Sequence, residues 1–224
     1  MTPLAGVKIC GLTRVEDVRA AERAGATHAG VVFAPGRRTV TAATAARVLE
    51  RTTLIRVGVF VDEEPDALLQ IAGESRLDVL QLHGDESVRY IERIRQAWDG
   101  RVWKAIRPRG AGDLLTAVEQ YSSAVDGLVL DGWSPDERGG TGTRFPWDEI
   151  ARVRDSVPAG VSFVAAGGLT PQNVAAALRT LRPDLVDVSS GVESAPGRKD
   201  ASAIERFVVA SGLRTPDSEF TPQR

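Results

Sequence analysis

Eight short apolar runs recur along the chain, and each is followed by a stretch with helical spacing. The runs are Val7–Cys10, His28–Phe33, Ile55–Val61, Val79–His83, Val102–Arg107, Gly127–Asp131, Ser162–Ala166 and Val186–Ser189. Most are continuous rather than alternating, the pattern of parallel strands buried on both faces by helices. The intervening stretches predict helices over Val15–Ala24, Ala42–Arg51, Glu64–Ser75, Glu86–Trp98, Ala111–Tyr121, Trp147–Ser156, Pro171–Leu181 and Ala201–Ser211. In the first of these, Val15, Val18, Ala21 and Ala24 recur at helical spacing, and Gly25 follows as a C-terminal stop. Thr41 and Thr170 stand at capping positions, and Pro65 and Pro171 fall in first turns, where a missing N–H costs least.

Eight strand–helix units in about 210 residues fit the size of a (β/α)8 TIM barrel, an α/β fold. The expected organisation is one catalytic barrel over residues 1–213 and a disordered polar tail over residues 214–224, which holds Pro216 and Pro222. An open doubly wound sheet usually has fewer strands, and no G-x-G-x-x-G follows the first run. In a parallel barrel all the strand C-termini converge on one face, and that face carries the chemistry.

The residues at those ends are therefore the candidates. Lys8 and Cys10 lie two apart on a strand and share a face. A neighbouring ammonium favours a thiolate and is expected to lower the thiol pKa, which makes Cys10 a base or nucleophile. The alternative is a small buried hydrophobe. Asp131 ends an apolar strand, where a carboxylate is costly unless solvated, paired or protonated. It reads as a general acid with a raised pKa, or as a cap or loop anchor.

Gly167-Gly168 precedes the expected helix start at Thr170-Pro171, and Ser189-Ser190-Gly191 follows the eighth run. Loops after strands 7 and 8 commonly hold phosphate in such barrels, although either loop alone is also a tight turn. His83 is a substrate contact or a hydrogen-bonded structural residue. His28 begins a strand at the stability face and reads as structural. Arg37 and Arg38 suit a carboxylate or are simply solvated. Trp133 and Trp147 cover an aromatic substrate or pack in the core.

Composition narrows the field. The 224 residues are 42% hydrophobic, enough for a sizeable core, and carry a formal net charge of −2. Basic and acidic residues are interspersed, so no stripe points to nucleic acid and no polybasic patch to a membrane surface. The single cysteine excludes an intramolecular disulfide and a multi-cysteine metal site. Two histidines at opposite strand ends argue against catalytic zinc. There is no apolar run near the roughly 20 residues of a membrane span and no secretory signal pattern, which favours a cytoplasmic protein.

The ordered set of motifs resembles the phosphoribosylanthranilate isomerase family of tryptophan biosynthesis, from about Val7 to Leu213. It runs through Lys8-Ile9-Cys10-Gly11-Leu12-Thr13, Val57-Gly58-Val59-Phe60-Val61, Gln81-Leu82-His83-Gly84, and Leu130-Asp131 with Gly139-Gly140-Thr141-Gly142. Ala166-Gly167-Gly168-Leu169, then Val186-Asp187-Val188-Ser189-Ser190-Gly191-Val192-Glu193, then Pro196-Gly197-Arg198-Lys199-Asp200 complete it. The resemblance implies an Amadori rearrangement of N-(5-phosphoribosyl)anthranilate to 1-(2-carboxyphenylamino)-1-deoxyribulose 5-phosphate. Within it, Asp131 is the general acid and Cys10 the general base. An arginine after strand 2, Arg38, meets the anthranilate carboxylate. Phosphate sits near Gly167, Gly168, Ser189, Ser190 and Gly191. Asp187 matches a family aspartate near the substrate, and His83 belongs to the same set.

The resemblance implies a small phosphorylated substrate and no cofactor or metal; with the charge pattern already arguing against nucleic-acid and membrane partners, the sequence leaves monomer and homodimer open. Two departures stand out. Family members usually show F-x-P-x-S-x-R after strand 2, whereas Phe33-Ala34-Pro35-Gly36-Arg37-Arg38 lacks the serine and is one residue shorter, so Arg37 competes with Arg38 for the carboxylate. The loop Gly132–Arg138 is long for the family and reads as a lid or a surface insertion. Other readings are a different phosphosugar barrel, such as an indole-forming synthase for which Lys104 is the nearest catalytic lysine, and a barrel that binds a phosphometabolite without turnover.

Overall fold

The computed structural model describes residues 4–132 and 146–213. Eight parallel strands close into a barrel in sequential order: β1 (Gly6–Ile9), β2 (His28–Val32), β3 (Ile55–Phe60), β4 (Val79–Leu82), β5 (Arg101–Ile106), β6 (Gly127–Leu130), β7 (Ser162–Ala165) and β8 (Leu185–Val188), with β8 pairing back onto β1. The helices that alternate with them are α1 (Val15–Ala24), α2 (Ala42–Val48), α3 (Pro65–Glu74), α4 (Val88–Arg95), α5 (Ala111–Tyr121), α6 (Trp147–Arg152), α7 (Val174–Leu181) and α8 (Ala201–Ala210). The (β/α)8 reading of the sequence is therefore the observed architecture. Among the described residues, no helix is long and apolar enough to cross a membrane.

Two apolar layers explain the closure. One lies between the strands and the helices, with Ile9, Leu80, Leu128, Phe163 and Phe207 fully buried. The other fills the barrel from inside, around Val57, Val79, Trp103, Val129 and Val164. Strands packed on both faces have no solvent side, which is why the apolar runs do not alternate.

The predicted strands each run one residue too far. The observed ends are Ile9, Val32, Phe60, Leu82, Ile106, Leu130, Ala165 and Val188. The next residue in several cases still donates its N–H to a neighbouring strand: Cys10 to Val188 O at 2.8 Å, His83 to Phe60 O at 2.7 Å, Asp131 to Ile106 O at 2.9 Å, and Ala166 to Leu130 O at 2.8 Å. These residues are tethered on one side and released on the other, so their side chains sit at the mouth on a fixed backbone.

Helix ends follow local chemistry. Gly25 stops α1 in the left-handed region at φ 91°, and Thr41 caps α2 by accepting the N–H of Thr44. Pro65 opens α3 as expected. Three helices end three or more residues earlier than predicted: α2 at Val48, α4 at Arg95, and α6 at Arg152, after which a 3-10 turn covers Arg154–Ser156.

The expectation that α7 starts at Pro171 under a Thr170 cap is also corrected. Asn173 Oδ1 accepts the N–H of Thr170 at 2.9 Å and Asn173 Nδ2 donates to Gly168 O at 2.8 Å. That clamp holds residues 171–173 as a turn, and the helix begins at Val174. An antiparallel hairpin of β9 (Glu193–Ala195) and β10 (Arg198–Lys199) follows β8 and was not foreseen. The disordered-tail expectation for residues 214–224, the Gly132–Arg138 loop beyond Gly132, Trp133 and Gly139–Gly142 lie outside the described residues.

Candidate active site

One cavity at the C-terminal mouth gathers most of the candidates: Cys10, Arg38, His83, Asp131, Asp187 and the loops at Gly167-Gly168 and Ser189-Ser190 all line it. Gly191 stands just behind, packed against the Leu169 carbonyl. Trp147 is half-buried against the main core, in line with packing. His28 is buried at the other end of the barrel, its ring 5.5 Å from that of Trp103, as the structural reading expects.

The base candidate rests on a buried ion pair. Lys8 and Asp187 are register partners on β1 and β8, and Lys8 Nζ donates to Asp187 Oδ2 at 2.7 Å with the lysine side chain fully buried. Among the described residues, Asp187 Oδ1 is buried without a hydrogen-bond partner. A Cβ placed on Gly30 would lie 2.9 Å from Lys8 Cε and 3.1 Å from Cys10 Sγ, so the two side chains lie together over that glycine as their shared strand face predicts. Burial pushes the Lys8 pKa down, but Asp187 and Cys10 outweigh it and the net shift is upward. The predicted direction for Cys10 is corrected: burial pushes the thiol up, the Lys8 ammonium opposes it, Asp187 adds to it, and the net shift is upward. Cys10 is buried deeply enough that Lys8 and Lys199 together do not offset the cost of a thiolate there.

The acid candidate also differs from expectation. Asp131 Oδ2 accepts from His83 Nε2 at 3.0 Å and Oδ1 from the Gly132 N–H at 2.9 Å. Gln81 Nε2 lies 2.9 Å from His83 Nδ1, which orients the ring. Burial works to raise the Asp131 pKa, but the His83 hydrogen bond and charge, Arg107 and the Gly132 N–H outweigh it, so the carboxyl is held below its ordinary range. A raised pKa, inferred from strand-end burial alone, omitted these partners. His83 is thus placed against Asp131 itself.

Gly167 fixes the other wall. It is left-handed at φ 75°, and a Cβ there would meet Gly132 N at 1.9 Å and Asp131 Oδ1 at 2.8 Å. Only glycine lets the loop after β7 lie so close to Asp131.

Between Arg37 and Arg38 the geometry is asymmetric. Both line the cavity, but Arg37 is exposed, whereas Arg38 reaches inward across Gly11, where a Cβ would meet Arg38 Cδ at 2.5 Å and Ser189 Oγ at 3.0 Å. Arg38 Nε and Nη2 donate to the two carboxylate oxygens of Glu193, each at 2.8 Å. Lys199 Nζ donates to Glu193 Oε1 at 2.9 Å and to Ser189 O at 3.1 Å. Burial works to raise the Glu193 pKa, but the hydrogen bonds from Arg38 and Lys199 hold it down at about 2. The sequence reading assigned no role to Glu193 or Lys199; their only signal was membership of the last two family motifs.

Lys104 is elsewhere. Its Nζ donates to Gly84 O at 2.7 Å and Ala105 O at 3.0 Å and pairs with Glu86 at 3.2 Å, so it ties down the loop after β4.

The family model described as N-(5'phosphoribosyl)anthranilate (PRA) isomerase matches residues 7–210. An N-(5'-phosphoribosyl)anthranilate isomerase of Trichlorobacter lovleyi is 45% identical over 206 residues, covering 90% of this chain and 95% of that protein. The crystal structure of phosphoribosyl anthranilate isomerase from Thermotoga maritima superposes with a TM-score of 0.84 at 36% identity, covering 93% of this chain and 98% of that one. A crystal structure of such an isomerase in complex with reduced 1-(o-carboxyphenylamino)-1-deoxyribulose 5-phosphate gives 0.81 at 34% identity, again over 93% and 98%.

Proposed function

The chain belongs to the N-(5'-phosphoribosyl)anthranilate isomerase family, and from that membership we propose that it carries out the Amadori rearrangement with Asp131 as general acid and Cys10 as general base. The observation that carries this reading is that both residues, which follow strands three steps apart round the barrel, line a single cavity together with Arg38 and the loops after β7 and β8.

In the first step Asp131 protonates the furanose ring oxygen while the anilino nitrogen donates its lone pair. The C1–O bond breaks and a Schiff base forms. Cys10 then removes the proton from C2, and the electron pair flows toward the iminium to give an enolamine. Tautomerisation yields the aminoketose. Acid and base must act on different atoms of the bound sugar, and their separation across the mouth provides this.

The substrate is held at both ends. Arg38 takes the anthranilate carboxylate, for which a guanidinium edge is the matched partner. Gly167, Gly168, Ser189, Ser190 and Gly191 take the phosphate. Asp187 Oδ1, buried and unpartnered, is an acceptor for a donor on the substrate. A synthase reading is disfavoured because Lys104 is committed to backbone carbonyls and Glu86.

The test is a single variant. Cys10→Ala abolishes turnover while still binding the reduced product analogue and retaining the wild-type circular dichroism. A Cys10→Ala protein that keeps most of the wild-type kcat removes the base assignment.

A further inference from the structure

Arg38 presents a puzzle for a carboxylate receptor, since it is already bound edge-on by a carboxylate of its own chain. The pair with Glu193 consumes Nε and Nη2, which leaves Nη1 without a partner among the described residues on a side chain that lines the cavity. Glu193 is itself fixed from other directions. It heads β9, its Oε1 takes Lys199 Nζ from β10 and the Gly197 N–H at 3.3 Å, and its side chain is only 5% exposed. The hairpin is in turn pinned to the barrel: Thr13 Oγ1 donates to Gly197 O at 2.7 Å and the Lys199 N–H donates to Asp17 Oδ2 at 3.2 Å. Arg38, by contrast, comes from a short loop containing exposed Pro35, Gly36 and Arg37.

From this arrangement we propose that Glu193, carried with Lys199 on the β9–β10 hairpin, is the positioning residue that holds Arg38 with its free edge toward the substrate carboxylate. The inference rests on the reading of Arg38 as the carboxylate partner. Glu193 also bridges two cations that repel one another, so the group of three retains one positive charge for an incoming anion. Lys199 ties the same hairpin to Ser189 O, in the loop assigned to phosphate. The hairpin therefore sets the spacing between the two ends of the substrate site.

A bridging role predicts specificity for the carboxylate rather than general loss. The probes are reduced 1-(o-carboxyphenylamino)-1-deoxyribulose 5-phosphate and its phenylamino counterpart, which lacks only the carboxylate, each used as a competitive inhibitor. Glu193→Gln keeps the size and removes the charge. It is expected to weaken the carboxylate-bearing inhibitor about tenfold, the scale of a lost charge-assisted pair. Binding of the counterpart and kcat are expected to stay within about twofold, since neither uses that pair. In an Arg38→Met background, Glu193→Gln adds nothing further.

Equal losses for both inhibitors make Glu193 a general structural residue and overturn the proposal. Tighter binding of the carboxylate-bearing inhibitor by Glu193→Gln makes Glu193 a competitor and also overturns it. Glu193→Asp, which keeps the charge but cannot span both donors, covers the case in which the glutamine variant misfolds; it is expected to show the same discrimination, and its absence counts against the proposal. If Arg38→Met itself fails to discriminate between the inhibitors, the carboxylate assignment falls and the positioning role falls with it. If Arg38→Met discriminates and Glu193→Gln does not, the positioning role alone falls.

Discussion

Lys8 Nζ lies 2.7 Å from Asp187 Oδ2 inside the barrel, a fully buried ammonium paired with a carboxylate that keeps one oxygen unpartnered. The pair underlies the proposed base, because Lys8 is the principal group opposing the effect of burial on the Cys10 thiol. Lys8→Met leaves Asp187 buried without its counterion, and removing one partner of such a pair typically costs about 3–5 kcal/mol. It also moves thiol ionisation to still higher pH, since burial and Asp187 then act unopposed by the nearest cation. Chemical denaturation checks the first effect. The pH dependence of Cys10 alkylation checks the second, and an unchanged alkylation profile contradicts it.

The two proposed catalytic groups are shifted in opposite senses, Cys10 up and Asp131 down. At neutral pH the resting cavity then holds mainly thiol and carboxylate, while the proposed step uses thiolate and carboxylic acid. That competent form is a minor protonation isomer with a constant fraction between the two pKa values. The acid limb of kcat/KM therefore belongs to Asp131 and the basic limb to Cys10. His83→Ala removes the hydrogen bond that depresses Asp131, so the acid limb moves to higher pH. A limb that stays in place shows that His83 does not control the acid.

His28 links the fold to pH at the opposite end of the barrel. Burial, with Arg101 and Lys8 nearby, lowers its pKa from 6.5 to about 3. The folded state thus keeps it neutral while the unfolded state takes up a proton below 6.5. Stability is lost as pH falls from 6.5 toward 3, with a slope of up to one proton from this site. His28→Leu is expected to flatten that part of the denaturation-versus-pH curve, whatever it does to stability at pH 8.

Gly167→Ala puts a methyl group against Gly132 N and Asp131 Oδ1 and demands a left-handed φ of an L-residue. The backbone alone costs about 1–2 kcal/mol, and the crowding displaces the acid. Folding is expected to survive with kcat lowered well below the wild type. Steady-state kinetics alongside a thermal melt separate the two effects.

How far the sequence reading reached depends on the range of each interaction. Cys10, Asp131, His83 and the serine and glycine loops stand out in the sequence because each lies at the end of an apolar run, and the barrel brings those ends to one cavity. The strand ends themselves were overshot by one residue, since apolar character continues past the last laddered position. The start of α7 was misplaced because Asn173's clamp on Gly168 and Thr170 outcompetes the Thr170–Pro171 signal. Directions of titration were not legible, because the partners that decide them come from elsewhere: His83 stands 48 positions from Asp131, and Asp187 stands 179 from Lys8. The β9–β10 hairpin is too short to show a period, and Glu193 meets Arg38 across 155 positions.

The most direct measurement follows the fluorescence of freshly generated phosphoribosylanthranilate after addition of the purified chain, with Asp131→Asn beside it. Rapid loss with wild type and none with the variant, both folded, is the predicted result. A folded wild type that leaves the substrate unchanged contradicts the account at its centre, and full activity in Asp131→Asn contradicts its choice of acid.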